Sequence, residues 1–264
     1  MRFGCVFPHG LPSCVAARNR RQKARSARTA SPFFPFVATF CKLKSSRDTI
    51  AGERHVTSYE HAMLGITGVL ATGLNRRYGW PIVGLAAVAA VSPDWDALTI
   101  VAGSAPFAAS HRVWGHNVLV CVLTGLLMGV VDYRFDVVTR CGRFLTRRLH
   151  LALPGASPRV REAFPFSGFV AWTSVAVLAA VSHLAADLVF SGTETLPDWE
   201  LQLWWPFSTT GYVYPIIAWG DAGVSIVFVA GMFAMWRWPA RLQTTSLATL
   251  AAVFLYMVLR GAWL

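Results

Sequence analysis

Apolar runs separated by short polar breaks fill the chain from Thr57 onward, and the breaks indicate where helices begin and end. Thr57-Ser58-Tyr59-Glu60 is a hydroxyl residue followed three positions later by Glu, the capping-box pattern, directly ahead of the run AMLGITGVLATGL. It predicts a first helix with His61 in its first turn. A basic turn at Asn75-Arg76-Arg77 precedes a second helix, expected from about Trp80 to Val91. At Ser92-Pro93 that helix must break, because proline lacks a donor and disfavours a helical residue before it. Ser92 and Pro93 are suited to cap and open a new helix at once.

The next run, Asn117 to Val131, holds Gly125 and Gly129, which would let a neighbouring helix approach closely. The stretch from Asp132 to Arg161 carries seven Arg and no Lys and reads as a basic loop. GFVAWTSVAVLAAVSHLAADLVF then follows, long enough for the ~30 Å hydrocarbon core of a bilayer. Residues 191 to 215 form a loop rich in Trp and Tyr (Trp199, Trp204, Trp205, Tyr212, Tyr214), as at a membrane interface. Two runs close the chain, from about Tyr214 to Trp236 and from Ser246 to Leu259, with Arg237 and Arg241 between them. The pattern predicts an all-α, polytopic transmembrane bundle of about six helical segments, the first two short or re-entrant.

Composition agrees: 55% of residues are hydrophobic, only 14% are charged, and mean hydropathy is positive, as in an inner-membrane protein. The net charge of +11 suggests nucleic acid until its distribution is read. Ten of the 24 basic residues precede Asp48 and no acidic residue does, whereas from Asp48 onward 14 basic residues face 13 acidic ones. The body is nearly neutral, so no nucleic-acid partner is expected. Residues 1–55 combine RNRRQKARSAR with SPFFPF and no helical period, which reads as a basic disordered tail or a misplaced start ahead of a single membrane-embedded domain over 56–264. The five cysteines form no CxxC pair and three lie in the tail, so a disulfide framework or thiolate zinc site is not expected.

Alternating the segments across a bilayer puts His61, the 92–116 stretch, His183, Asp187 and the aromatic loop on one side. Arg76, Arg77, the seven-Arg stretch, Arg237 and Arg241 fall on the other. The arginine side is then cytoplasmic and the His/Asp side extracytoplasmic, with the tail's basic residues opposing that assignment.

Carboxylates and imidazoles at membrane depth need something to offset desolvation, and a metal ion or a mutual ion-pair network does so. His183 and Asp187 are spaced i, i+4 and share a helix face, so both reach one ion, or simply each other. His111 and His116 lie about 140° apart on an ideal helix, so convergence requires His111 in a loop and His116 in a first helical turn. Asp94 and Asp96 are either ligands or the acidic first turn of a helix. Asp221 either joins the site, caps a helix or pairs with Arg112, and Arg112 can clamp a phosphate or carboxylate. Nitrogen and oxygen donors without Cys suit Zn²⁺ or Mn²⁺ better than Mg²⁺, as one or two ions able to activate water for hydrolysis. The same groups would also serve an ion- or proton-coupled transporter, and a non-catalytic membrane regulator is the third reading.

Taken in order, EHAMLG, SPDWD, HRVWGH, SHLAAD and WPFS resemble the LexA-regulated, inner-membrane-associated metal-dependent hydrolases, the YdjM-like proteins. Members carry a T-H-x-x-x-G-like start, a P-D-x-D segment, an H-R-x-x-T-H-S segment, an H-x-x-x-D helix and a P-F-S loop. The match spans roughly residues 57 to 225, and its specificity lies in order and spacing. The resemblance implies metal ligation by His61, Asp94, Asp96, His111, His116, His183 and Asp187, and maps the family's P-F-S loop onto the stretch Trp205 to Ser208. Asp94, Asp96 and Arg112 would carry the catalysis on an ester or phosphoester, lipid-like or small, in contact with membrane lipids. Gly115 and Asn117 depart from the family's Thr and Ser around His116, and Tyr59-Glu60 replaces Thr before His61.

Overall fold

Close helix contacts need small residues, and this chain places them where its helices cross. The structure, a computed structural model, describes residues 58–148, 165–190, 200–214, 216–217 and 221–263. The expectations for residues 1–55, for Thr57 in the capping box, for residues 149–161 and for Trp199 lie outside the described residues. The helices are α1 (Ser58–Thr72), α2 (Leu74–Tyr78), α3 (Pro81–Val91), a 3-10 helix (Ser92–Ala102), α4 (Ser104–Ser110), α5 (Val118–Phe135), α6 (Val137–Arg148), α7 (Phe166–Val189), α8 (Gly223–Arg237) and α9 (Leu242–Trp263). Among the described residues there is no strand, only an isolated bridge between Leu201 and Tyr212. The fold is an all-α bundle.

α1, α3, α5 and α7 form its centre. A Cβ on Gly65 of α1 would lie 2.5 Å from the Ala86 carbonyl oxygen of α3. On α5, Gly125 and Gly129 meet the α7 backbone at Val177 and Thr173, where a Cβ would come within 2.6 and 2.7 Å of their Cα atoms. The partner of the predicted small-residue face is thus α7. Ile82, Leu85, Leu70, Met63 and Trp172 fill the space between these helices, all nearly inaccessible.

Four segments are long and apolar enough to cross a membrane: Pro81–Ala102, Val118–Phe135, Phe166–Val189 and Pro239–Ala262. The first reaches that length because the helix does not stop at Ser92. The expected break is a change of winding: Ser92 Oγ bonds back to the Ala89 carbonyl at 2.8 Å instead of capping a new helix, and the chain continues as a 3-10 helix. α1 and α8 have 15 residues each, short of the ~20 of a full span.

Three further expectations change. The basic stretch after Asp132 is not simply a loop: α5 continues to Phe135, Asp136 turns the chain in the left-handed region (φ 50), and α6 begins. α8 starts at Gly223, because Tyr214 and Ile216 instead hydrogen-bond through their backbone to the Leu188 and Val189 carbonyls at the end of α7. α9 starts at Leu242; the six expected segments are α1, α3 with the 3-10 helix, α5, α7, α8 and α9, with α2, α4 and α6 as shorter helices between them. α1 starts, and α3 and α7 end, at the pole that carries the His and Asp residues. About 22 Å along α7, at the 1.5 Å rise of a helix, Gly168 packs on Tyr133 at the opposite pole.

Candidate metal centre

Four elements deliver the site. His61 comes from the first turn of α1, Asp94 and Asp96 from the 3-10 helix, Arg112 and His116 from the loop between α4 and α5, and His183 and Asp187 from the last turns of α7. At three residues per turn, positions two apart differ by about 120° in direction, so Asp94 and Asp96 face different neighbours.

Asp94 faces inward. Its Oδ1 lies 3.4 Å from both His116 Nε2 and His183 Nε2. Asp187 Oδ2 lies 3.3 Å from the same two nitrogens, and the nitrogens are 3.1 Å apart. Four ligands at ~2.0–2.1 Å around a tetrahedral ion stand roughly 3.3 Å from one another, so all five separations fit such an ion.

The donor set fits a cation as well. His183 Nδ1 donates to the Ala90 carbonyl at 2.7 Å, an acceptor to which Pro93, three residues on, has no N–H to give. His116 Nδ1 donates to Asp96 Oδ2 at 3.0 Å. With each Nδ1 carrying its proton to an acceptor, a neutral ring turns a bare lone pair at Nε2 toward the other ring and toward two carboxylate oxygens. That arrangement is repulsive unless positive charge sits among the four atoms. Burial disfavours a charged His116, yet the carboxylates of Asp187, Asp94 and Asp96 outweigh it and raise its pKa well above the ordinary imidazole value. The pocket thus attracts positive charge, as a metal ion or as protons.

Asp96, expected among the ligands, stands behind His116. Its Oδ1 accepts from His111 Nδ1 at 2.8 Å and its Oδ2 from Gly115 N at 2.8 Å as well as from His116, so both oxygens are engaged away from the four-atom cluster. His111 caps the end of α4, stacked on Phe107 at 4.7 Å. With Asp94 and His116 it offers ligand atoms within 4.8 Å of one another, as His61, His183 and Asp187 do on the other side. His61 stacks on His183 at 3.7 Å and places Nε2 3.3 Å from Asp187 Oδ1, while its Nδ1 is buried with no hydrogen-bond partner among the described residues. Arg112 is buried with Nη2 3.7 Å from Asp187 Oδ1, and its φ of 65 is a left-handed conformation that costs a non-glycine residue energy. Burial lowers the Arg112 pKa, and Asp187, Asp94 and Asp96 push it back up.

Asp187, His116 and His183 are almost wholly buried, whereas the Asp94 side chain is 24% exposed. The cluster therefore opens at Asp94, and Trp95, next to it in the chain, is exposed, as is Trp114.

Gly115 and Asn117, which depart from the family pattern, support the site. A Cβ on Gly115 would sit 1.9 Å from the Pro93 carbonyl oxygen, so only glycine lets this loop lie against the 3-10 helix. Asn117 accepts from Val120 N at 2.9 Å and donates to the Val113 and Trp114 carbonyls, capping α5 and fixing the loop. His116 is accordingly in the loop and not in a first helical turn. Asp221 neither joins the site nor pairs with Arg112. It binds Tyr256 Oη at 2.5 Å, Gly223 N at 2.7 Å and Arg260 Nε at 3.1 Å, and although burial opposes ionisation these bonds hold its pKa below the ordinary value. In the Trp205–Ser208 turn, the Ser208 hydroxyl is bonded to Thr210 at 3.0 Å.

Compared with known families, residues 56–264 match the family described as YdjM inner membrane protein. No curated protein and no solved structure matches the chain.

Proposed function

The chain belongs to the YdjM inner membrane protein family, and from that premise we propose that it is a multi-pass, metal-dependent hydrolase of an ester or phosphoester. His116, His183, Asp94 and Asp187 would hold a divalent ion, Zn²⁺ or Mn²⁺ by donor chemistry. His61 and His111 extend the donor set on either side, where a second ion would fall. Such an ion, when bound with a fifth position open to water, lowers the pKa of that water and polarises an ester or phosphoryl oxygen. Asp96 fixes the His116 ring through Nδ1, and the Ala90 carbonyl fixes His183, so both Nε2 atoms stay directed inward. Arg112 would bind an anionic substrate oxygen, and Asp94, the exposed member, would receive the proton released there. The arginine-bearing pole would face the cytoplasm and the site the opposite side.

One observation carries this reading: two imidazole nitrogens and two carboxylate oxygens converge at 3.1 to 3.4 Å with both Nδ1 atoms committed elsewhere. The detergent-purified chain, assayed on a panel of phosphomonoesters, phosphodiesters and carboxyl esters, should turn over at least one class. Chelation should abolish that turnover, added Zn²⁺ or Mn²⁺ should restore it, and His183→Ala should lack it. The carboxylates of Asp94, Asp96 and Asp187 set 3.0 to 3.4 Å from the His116 ring nitrogens also suit a second reading, a proton- or cation-coupled transporter. Absence of turnover across the panel, with flux in liposomes that requires Asp94 and His183, would replace the hydrolase by the transporter.

A further inference from the structure

α6 lies at the opposite pole from the His/Asp cluster and contributes no residue to it. Around its axis Arg140, Arg143 and Arg147 recur at i, i+3 and i+7 and fall in one stripe, while Val137, Val138, Cys141, Phe144 and Leu145 form the neighbouring stripe, which Arg148 ends by lying over the Phe144 ring at 5.7 Å. The two stripes meet at Phe144, where Arg140, Arg143, Phe144 and Arg147 line a shallow groove of about 370 Å³. Val138 is the anchor of the apolar stripe, so close to α3 that a Cβ on Gly84 would come within 2.8 Å of it. The rest of the stripe is left outside the bundle: Phe144 is 59% exposed and Leu145 50%.

The attitude of this helix is fixed. α5 is long and apolar enough to cross a membrane and ends at Phe135, so α6 starts where a bilayer surface would be. Asp136 turns the chain with φ 50 and ψ 41. Buried Asp132 then ties three helices together, with Oδ1 accepting from Val138 N at 2.7 Å and Oδ2 from Trp172 Nε1 at 2.9 Å. A helix anchored at its first turn, with exposed apolar residues beside an arginine stripe, at the end of a spanning helix, has the chemistry of a helix lying in a membrane interface. Guanidinium groups bind phosphate oxygens in bidentate pairs, and the apolar stripe beside them matches glycerol and acyl chain. A nucleic acid would satisfy the arginines and leave Phe144 and Leu145 in water.

We propose that α6 binds an anionic phospholipid, with its headgroup phosphate on Arg140, Arg143 and Arg147 and its apolar part against Phe144 and Leu145. The test is native mass spectrometry of the full chain in detergent, offered phosphatidylglycerol and phosphatidylcholine in equal amounts. Each arginine near an anionic headgroup contributes about a fivefold preference, so the wild type should favour phosphatidylglycerol by more than about tenfold. Arg140→Gln, Arg143→Gln and Arg147→Gln combined should cut the preference more than about tenfold, with the elution profile in detergent unchanged and only the remainder due to Arg148, which lies over the Phe144 ring at 5.7 Å. If the triple variant misfolds, Arg147→Gln alone, at the exposed end of the helix, should reduce the preference about fivefold. A preference that these changes leave undiminished overturns the proposal. So does displacement of the lipid by millimolar inorganic phosphate, which would mark a free-anion site, or by a short duplex DNA.

Discussion

His116 and His183 owe their roles to what holds their far sides. A ring whose Nδ1 is engaged by Asp96 or by the Ala90 carbonyl has one tautomer and one direction, and only then do four donor atoms meet. Asp96→Ala removes the oxygen that accepts from both His116 Nδ1 and Gly115 N. It should weaken Zn²⁺ binding by about 10–100-fold, the usual effect of losing such a partner, measured by competition with a chelator of known affinity. Asp221→Asn, remote from the cluster, should leave that affinity unchanged. The i, i+4 spacing made His183 and Asp187 legible in the sequence, because helix geometry alone puts them on one face. Asp96 was legible only as an acid near the site. Its position behind His116 follows from 3-10 winding, which no spacing in SPDWD reveals.

At the scale of elements, small residues decided the crossings, and Gly125 and Gly129 could be read ahead because their spacing marks a face. Gly129→Val would push a side chain into the Thr173 backbone, 2.7 Å from its Cα. The cost should be about 1–3 kcal/mol, as for overpacking in a tight core, read as a lower melting temperature in detergent. Gly142→Ala on α6, where a Cβ meets nothing within 4 Å, should leave the melting temperature unchanged or raise it. α6 itself was hidden because its arginines outweigh its apolar stripe in a simple hydropathy reading, so VVTRCGRFLTRR looked like a loop. The start of α8 was misplaced for the opposite reason. Tyr214 and Ile216 are apolar, but their backbone is bonded to the end of α7.

For the molecule as a whole, the poles were legible because basic and His/Asp residues alternate from break to break. The structure brings His61, Asp94, His116, His183 and Asp187 together from positions more than a hundred residues apart. What the sequence did not show was the division of labour within that group, since distance along the chain carries no information about which nitrogen faces which oxygen. The account rests on positive charge among those four atoms being a metal ion and not protons. Elemental analysis of the detergent-purified full chain, beside Asp94→Ala and His183→Ala purified in the same way, measures this most directly. The account predicts at least one Zn²⁺- or Mn²⁺-class ion per wild-type polypeptide and its loss from both variants. A wild-type chain with no stoichiometric ion, or a His183→Ala chain that keeps its ion, would contradict it.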